Sequence, residues 1–263
     1  MKPSKANILL SRVRSVLFTL FNRLENNNNA DFHTNGEEEF LRRYIHSLQG
    51  DVVLFDVGAN VGGYSEVLID ICKRKGLHYR LYLFEPTQSC FTTLRQKFSH
   101  DQNIFLNNTG VSDTNGASEI FYDAEKSGFA SLYQRDLSSV NVTMNKKETI
   151  ALVRLDEYLS KQNIQKIDFL KIDIEGHELA AFRGLGAYLN AGFIKAIQFE
   201  YGGANLDSGT TLRQLYHLLQ DAGFRLFKIM KHRLEPRAYE VSMENYQYAN
   251  YVALSPESIS RIL

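Results

Sequence analysis

Val52-Val53-Leu54-Phe55-Asp56-Val57-Gly58-Ala59-Asn60-Val61-Gly62-Gly63-Tyr64-Ser65 is the stretch on which the reading of this chain turns. Its first half is short, β-branched and aromatic, the composition of a central parallel strand covered on both faces. Gly58 and Gly62 follow; glycine adopts backbone conformations closed to other residues and lets a ligand approach the main chain. The end of the stretch opens a helix, predicted over residues 64–75. Asp56 is therefore expected where a strand emerges into a glycine-bearing turn, the outline of a cofactor seat.

The spacing of that turn selects the cofactor. A dinucleotide fingerprint needs Gly-x-Gly-x-x-Gly, its second glycine making room for a pyrophosphate at a helix N-terminus. Here Ala59 and Asn60 follow Gly58, so that pair is missing. An acid followed by Gly-x-Asn-x-Gly suits a ligand with a cationic amino group and no phosphate, namely S-adenosylmethionine. The alternative is a strand-turn-helix in an α/β protein that binds nothing there. The next predicted strand, 79–84, ends at Glu85-Pro86. An acid at that point is placed to accept two hydrogen bonds from ribose hydroxyls; otherwise Glu85 is an exposed cap for the helix beginning at Thr87.

Further blocks follow in order: Leu155-Asp156-Glu157-Tyr158-Leu159, then Ile167-Asp168-Phe169-Leu170-Lys171-Ile172-Asp173-Ile174-Glu175-Gly176-His177-Glu178, then Gln198-Phe199-Glu200-Tyr201. With the Asp56–Gly62 turn, Tyr64-Ser65 and Phe84-Glu85-Pro86, the set resembles the FkbM-type methyltransferases, a family named for a macrolide O-methyltransferase. The resemblance covers residues 37–254. It implies an α/β class I methyltransferase fold: a Rossmann-like, doubly wound, mostly parallel sheet with an antiparallel C-terminal strand pair. It also implies S-adenosylmethionine as cofactor and, usually, a hydroxyl acceptor. The expected cofactor-binding residues are Asp56, Gly58, Asn60, Gly62, Tyr64, Ser65, Glu85, Pro86 and Asp173. Ser112 and Asp113, after the predicted third strand 104–107, join them as adenine contacts on the resemblance; on their residues alone, 113–116 reads equally as a turn before a strand at 117–122.

At 263 residues the chain can bury a substantial core. Strand and helix patterns alternate, as in a parallel sheet. Thirty basic against 30 acidic residues give no general attraction to nucleic acid or a charged membrane. Two cysteines, Cys72 and Cys90, form neither a metal cluster nor a disulfide framework, so a cytoplasmic setting is the default. The sequence leaves the oligomeric state open.

Residues 1–30 read as an amphipathic helix, 6–24, with an asparagine-rich linker at 25–29; residues 31–263 are the catalytic domain. The helix is interrupted by Arg12, Arg14 and Arg23, too short an apolar run to span a bilayer. It is expected to pack on its own domain or a partner, or else to lie on a membrane surface. A helix at 37–48 should border the cofactor cleft. The polar segment 123–147, with an apolar island at 127–133, is either a lid over the acceptor or a disordered insertion. The strands 224–230 and 248–254 are the expected C-terminal pair; Arg233, Arg237 and Tyr239 between them either grip an acceptor or belong to a solvated loop.

The second chemical centre is the strand 167–174. Alternation puts Phe169, Lys171 and Asp173 on one face. A buried ammonium requires a partner, and Asp56, Asp173 and Glu200 are the candidates. For proton removal from a hydroxyl, His177, with an ordinary pKa of about 6.5, is the side chain matched to neutral pH; alternatively it is a helix-start histidine bonded to main chain. Asp173, Glu175 and Glu200 are the competing bases. These carboxylates could instead hold a divalent ion, a possibility the sequence does not favour, and no zinc spacing is present. The acceptor is expected to be a small molecule or glycan, not nucleic acid. N-methyl transfer, a non-catalytic S-adenosylmethionine-binding module and, more weakly, a dinucleotide oxidoreductase are the alternatives.

Overall fold

The computed structural model describes residues 5–262. The chain enters through α1 (Lys5–Leu24) and α2 (Glu37–Ser47), then alternates β1 (Asp51–Val57), α3 (Gly63–Lys75), β2 (His78–Phe84), α4 (Gln88–Phe98) and β3 (Ile104–Asn107). A small sheet of β4 (Gly110–Ser112), β5 (Gly116–Tyr122) and β6 (Lys146–Arg154) interrupts. Alternation resumes with α5 (Leu155–Lys161), β7 (Phe169–Ile172), α6 (Glu178–Arg183), β8 (Ala196–Tyr201), α7 (Gly203–Ser208) and α8 (Leu212–Asp221). The end is β9 (Arg225–Met230), β10 (Arg233–Pro236), β11 (Ala249–Leu254) and α9 (Pro256–Ile262).

The main sheet has the order β10-β9-β11-β8-β7-β1-β2-β3. Strands β3, β2, β1, β7 and β8 are parallel, while β11 runs antiparallel to both β8 and β9. From β1 the chain first winds outward through β2 and β3 and later returns to the other side through β7 and β8. The strand order therefore reverses at β1 and β7, whose carboxyl ends leave the crevice in which open α/β sheets bind ligands.

Side-chain alternation divides the core into two layers. Val53, Phe55, Val57, Leu170 and Ile172 pack with Phe182, Phe199 and Tyr216 on one face. Val52, Leu54 and Phe169 pack with Leu41, Tyr44, Leu68 and Val252 on the other. The two layers are stitched at the amino ends of the central strands β1 and β7, where the Tyr44 hydroxyl donates to the Asp168 carbonyl at 2.8 Å and the Asp168 carboxylate accepts from the Val53 amide at 2.8 Å.

Four expectations need correction. The turn at 113–116 does reverse the chain, but β4 and β5 do not pair: β6 inserts between them, parallel to β4 and antiparallel to β5. The C-terminal pair gains a third strand, β10, paired to β9. Residues 25–29 are no free linker. Asn26 adopts a left-handed conformation, φ 55°, and its amide donates to the carbonyls of Asn35 at 2.6 Å and Ile229 at 3.1 Å. The Lys228 ammonium donates to Asn27 at 2.7 Å and pairs with Glu25 at 3.2 Å. Finally, α1 does not pack its apolar face on its own domain: Leu9, Val16, Leu17 and Leu24 are all exposed.

Arg233, Arg237 and Tyr239 are committed structurally. Arg237 pairs with Glu25 and Glu235, Arg233 with Glu235, and Tyr239 donates to Glu244.

Asn26→Ala is expected to lower unfolding stability by about 2 kcal/mol, since it strands two buried carbonyls and puts a poorly suited residue at positive φ. Urea denaturation followed by circular dichroism would measure it; a change within about 0.5 kcal/mol, the scale of an ordinary surface substitution, would mean the 25–29 segment is loosely held.

Candidate functional site

The turn after β1 closes on the ends of two neighbouring strands. The amides of Gly58 and Ala59 donate to the Phe84 carbonyl, both at 3.0 Å, and the Asp173 amide donates to the Val57 carbonyl at 3.0 Å. Gly58 lies at φ 87°, and a Cβ there would sit 1.8 Å from the Asp173 carbonyl oxygen. Gly62 lies at φ 85°, where a Cβ would meet the Phe98 ring at 2.6 Å. Both glycines are thus required first by contact of chain with chain, and the ligand approach expected of them is secondary; Gly58 alone of the two lines the cavity above the turn.

That cavity, about 200 Å³, runs along the carboxyl ends of β2, β1, β7 and β8. At one end stand Asn60, Glu85 and Pro86; at the other, Asp173, Glu175, His177 and Glu200. The small sheet supplies an apolar wall of Val111, Ile120 and Ile150. The segment between β5 and β6 lies over it through Ser127, Gly128, Ala130 and Leu132. This segment is tied down rather than disordered: Asn60 donates to the Ser127 carbonyl at 3.1 Å, and Ser131 donates to the Glu175 carbonyl at 2.7 Å.

Glu85 is buried, not the exposed cap of the alternative reading. One carboxylate oxygen accepts from the Thr87 amide at 2.9 Å and hydroxyl at 2.6 Å, the other from the Asn60 amide at 2.9 Å. The oxygen facing Asn60 keeps acceptor capacity, because each carboxylate oxygen has two lone-pair sites.

The structure does not bring Asp56, Gly62, Tyr64, Ser65, Ser112 or Asp113 to the cavity wall. Asp56 is fully buried on the α3 side, accepting from the Ser65 hydroxyl at 2.5 Å. It is paired in register with Lys171. Tyr64 donates to Gln198 at 2.8 Å and lays its ring 4.7 Å from the Lys171 ammonium. Ser112 contacts His177 Nε2 at 2.9 Å, and so acts on the cavity at one remove; its hydroxyl also lies 3.3 Å from the Asp113 carboxylate. The Lys171 ammonium pairs with Asp173 at 2.8 Å, one of its three candidate partners.

Charge in the crevice is unbalanced toward acid. Lys171 is held above its usual range despite the opposing effect of burial, by Asp173 and Asp56. Burial raises Asp56 and Glu37, and the Lys171 ammonium opposes both. Glu37 accepts from Gln198 at 2.5 Å and Asn250 at 2.9 Å. Glu175 pairs with Arg135, yet burial, reinforced by Asp173, pushes its carboxyl up to about 8. Glu200 has no hydrogen-bond partner among the described residues. Burial, then repulsion from Asp173, Glu175 and Glu178, carries it well above the carboxylate range. His177 is lowered by burial and so is neutral near pH 7; its Nδ1 lies 2.9 Å from the Tyr133 hydroxyl. Both ring nitrogens are engaged by hydroxyls, not by main chain. Among the described residues, no grouping of three or more His, Cys, Asp or Glu is arranged to hold a metal ion.

Sequence reasoning did not single out Arg135, Tyr133 or the wall residues Val111, Ile120 and Ile150. The apolar island at 127–133 pointed to the segment but not to its contacts.

The family model described as the methyltransferase FkbM domain matches residues 56–226, from the Asp56 turn through α8. The chain belongs to the FkbM methyltransferase family. Its architecture is that of a class I methyltransferase, with α1 as an N-terminal addition. A hexuronic acid methyltransferase, AglP, of Haloferax volcanii is 24% identical over 151 residues, 57% of this chain and 56% of that protein. Methyltransferase sdnD of Sordaria araneosa is 25% identical over 173 residues, 54% of this chain and 63% of that protein. The match thus spans less than two thirds of either relative. Among solved structures, precorrin-6y C5,15-methyltransferase from Geobacter metallireducens GS-15 superposes with a TM-score of 0.43 at 11% identity, covering 83% of this chain and 88% of that one. N-methyltransferase NodS from Bradyrhizobium japonicum WM9 gives 0.42 at 8% identity, over 84% and 94%.

In this FkbM-family chain Glu178 braces the β7–α6 turn, its carboxylate accepting from the amides of Ile174 at 3.2 Å and Gly176 at 3.1 Å. Burial raises it from 4.5 to about 7, against those amides. A folded-state pKa above the unfolded one means the native state binds the extra proton between those values, so Glu178 contributes stability that is lost as pH rises from about 4.5 through about 7. Glu178→Gln, which keeps one acceptor oxygen without the charge, should flatten that part of the pH–stability curve in urea titrations. An unchanged slope between pH 5 and 7 would show that Glu178 is ionised throughout.

Proposed function

We propose that this chain transfers the methyl group of S-adenosylmethionine to a hydroxyl of a sugar, glycan or secondary metabolite, with Glu200 as the base. The observation that carries this reading is one continuous cavity joining Glu85 to Glu200 along the strand ends. Membership of the FkbM family implies S-adenosylmethionine as donor, and the residues present fit it. Unpartnered carboxylate at Glu200 and surplus acid around it suit a ligand bearing sulfonium and ammonium charges, and the Val111, Ile120 and Ile150 wall suits an adenine. Bound S-adenosylmethionine supplies an electrophilic methyl group.

The residues of the chain do the rest. Glu85 would hold a ribose hydroxyl through the free lone pair of the oxygen facing Asn60. Glu200, whose carboxylate has no hydrogen-bond partner among the described residues and is raised above the carboxylate range by burial, would receive the proton of the acceptor hydroxyl. His177, fixed between Ser112 and Tyr133, would orient the acceptor. Asp173 is held by its ion pair with Lys171, and Glu175, fixed by Arg135, shapes the rim. The Ser127–Leu132 cover excludes water, and alignment of donor and acceptor contributes on the order of 7–11 kcal/mol.

Sugar acceptors are suggested by the relative named a hexuronic acid methyltransferase. The acidic rim favours an uncharged hydroxyl face over a carboxylate approaching the same spot. The same carboxylates support a second reading, methyl transfer to an amine, whose cation they would attract.

Incubation with methyl-labelled S-adenosylmethionine and separate pools of sugars, glycans and amines, with the new linkage read by mass spectrometry, tests the reading. Labelled O-methyl sugar is expected; label only in amines would replace this reading by the second. Glu200→Gln is expected to lower kcat by 10²–10⁴-fold, a far larger loss than any in S-adenosylhomocysteine affinity. Glu85→Gln should weaken S-adenosylhomocysteine binding by roughly tenfold or more, the scale of losing a charged hydrogen-bond acceptor. Intact turnover in Glu200→Gln would remove Glu200 from the role of base.

A further inference from the structure

We propose that α1 docks the protein on an anionic lipid bilayer, lying in the plane of the membrane surface. From residue 7 to residue 24, every side chain of this helix except Asn22 is exposed. At 3.6 residues per turn, Val16, Leu9, Leu20, Val13, Leu24, Leu17, Leu10 and Phe21 fall on one contiguous arc of roughly 140°. All eight are exposed, Leu24 at 68%, Val16 at 66% and Leu9 at 64%. Arg12 and Arg23 border that arc on one side and Arg14 on the other, while Ser11, Ser15, Thr19 and Asn22 occupy the opposite face together with two exposed apolar residues, Ile8 and Phe18.

This is the charge and apolar arrangement of an interfacial helix: apolar residues enter the acyl boundary, and the flanking arginines reach phosphates with stems laid along the apolar surface. The domain attaches on the polar side. Asn22 is buried and accepts from Asn27 at 3.0 Å, Glu25 is held by Lys228 and Arg237, and the Asn28 amide donates to the Tyr248 carbonyl at 2.9 Å. The apolar arc is therefore left facing away from the attachment.

Charge selects the occupant. The sequence from 5 to 24 holds four basic residues and no acid, in a chain whose formal net charge is +0. A second copy of α1 laid against the first would bring basic borders together with no carboxylate to pair them. An anionic lipid surface pairs every one. No helix among the described residues is long and apolar enough to cross a membrane, so the contact is with the surface.

Co-sedimentation of the full chain with phosphatidylcholine vesicles, with and without one third phosphatidylglycerol, tests this. Binding is expected to the anionic vesicles, and little to the neutral ones. Arg12→Gln and Arg14→Gln should each weaken it about fivefold, the scale of one basic residue near a charged surface. Leu17→Asp should weaken it by roughly tenfold or more, the scale of exposing one leucine. S-adenosylhomocysteine binding, whose site is far from α1 in sequence, serves as the check that each variant is folded. Equal binding to both vesicle types, or no binding by a folded protein that light scattering shows to be a dimer dissociated by Leu17→Asp, would overturn the proposal.

Discussion

The ammonium of Lys171 sits beneath the crevice among acids delivered by three elements: Asp173 at the end of β7, Asp56 on β1 and Glu37 on α2. Its ion pair with Asp173, at 2.8 Å, sets the sign of everything above it. Buried ion pairs of this kind add little net stability compared with an apolar core, yet losing one partner leaves an uncompensated charge and costs about 3–5 kcal/mol. Lys171 neutralises part of the acid and Arg135 part of the remainder. What is left is acid held back from ionising, Glu200 above all, in a crevice that a cationic ligand would stabilise in its charged form.

Geometry explains why the acid accumulates there. Parallel strands β1 and β7 end in register at Val57 and Ile172, β8 runs two residues further to Tyr201, and the reversal of strand order opens a gap between their exits. Asp173 and Glu175 follow β7 into that gap and Glu200 reaches it from β8, and the turn around Gly58 closes so tightly on the Asp173 carbonyl that the strand ends are held in fixed relation. Burial beneath the strand ends and the Ser127–Leu132 cover disfavours the charged carboxylates directly, and repulsion from Asp173 adds to it, which is why Glu175 and Glu200 stand above the usual carboxylate range.

Much of the fold was legible because its decisive signals are local. The apolar run of β1, the acid-terminated β2 and the alternation of Lys171 and Asp173 in β7 all read directly from neighbouring residues. The same alternation carried the information that Asp56, one strand position before Val57, faces α3 and Ser65 rather than the cavity. Reading the strand end without its facing direction did not show that Asp56, Tyr64 and Ser65 lie off the cavity wall. The rest was non-local. Ile120 and Ile150 become a cavity wall because β6 inserts between β4 and β5, and nothing in either segment announces that pairing. Tyr133 meets His177 across 44 residues of sequence, and Arg135 meets Glu175 across 40.

The central claim is that an acidic crevice, left incompletely neutralised by Lys171 and Arg135, receives a cation. Calorimetric titration at pH 7 in buffers of different ionisation enthalpy measures the protons exchanged on binding. S-adenosylmethionine, whose sulfur is cationic, should release more protons than S-adenosylhomocysteine, whose sulfur is neutral, because its charge drives Glu200 to ionise. Identical proton exchange for the two, or uptake with S-adenosylmethionine, would contradict the account.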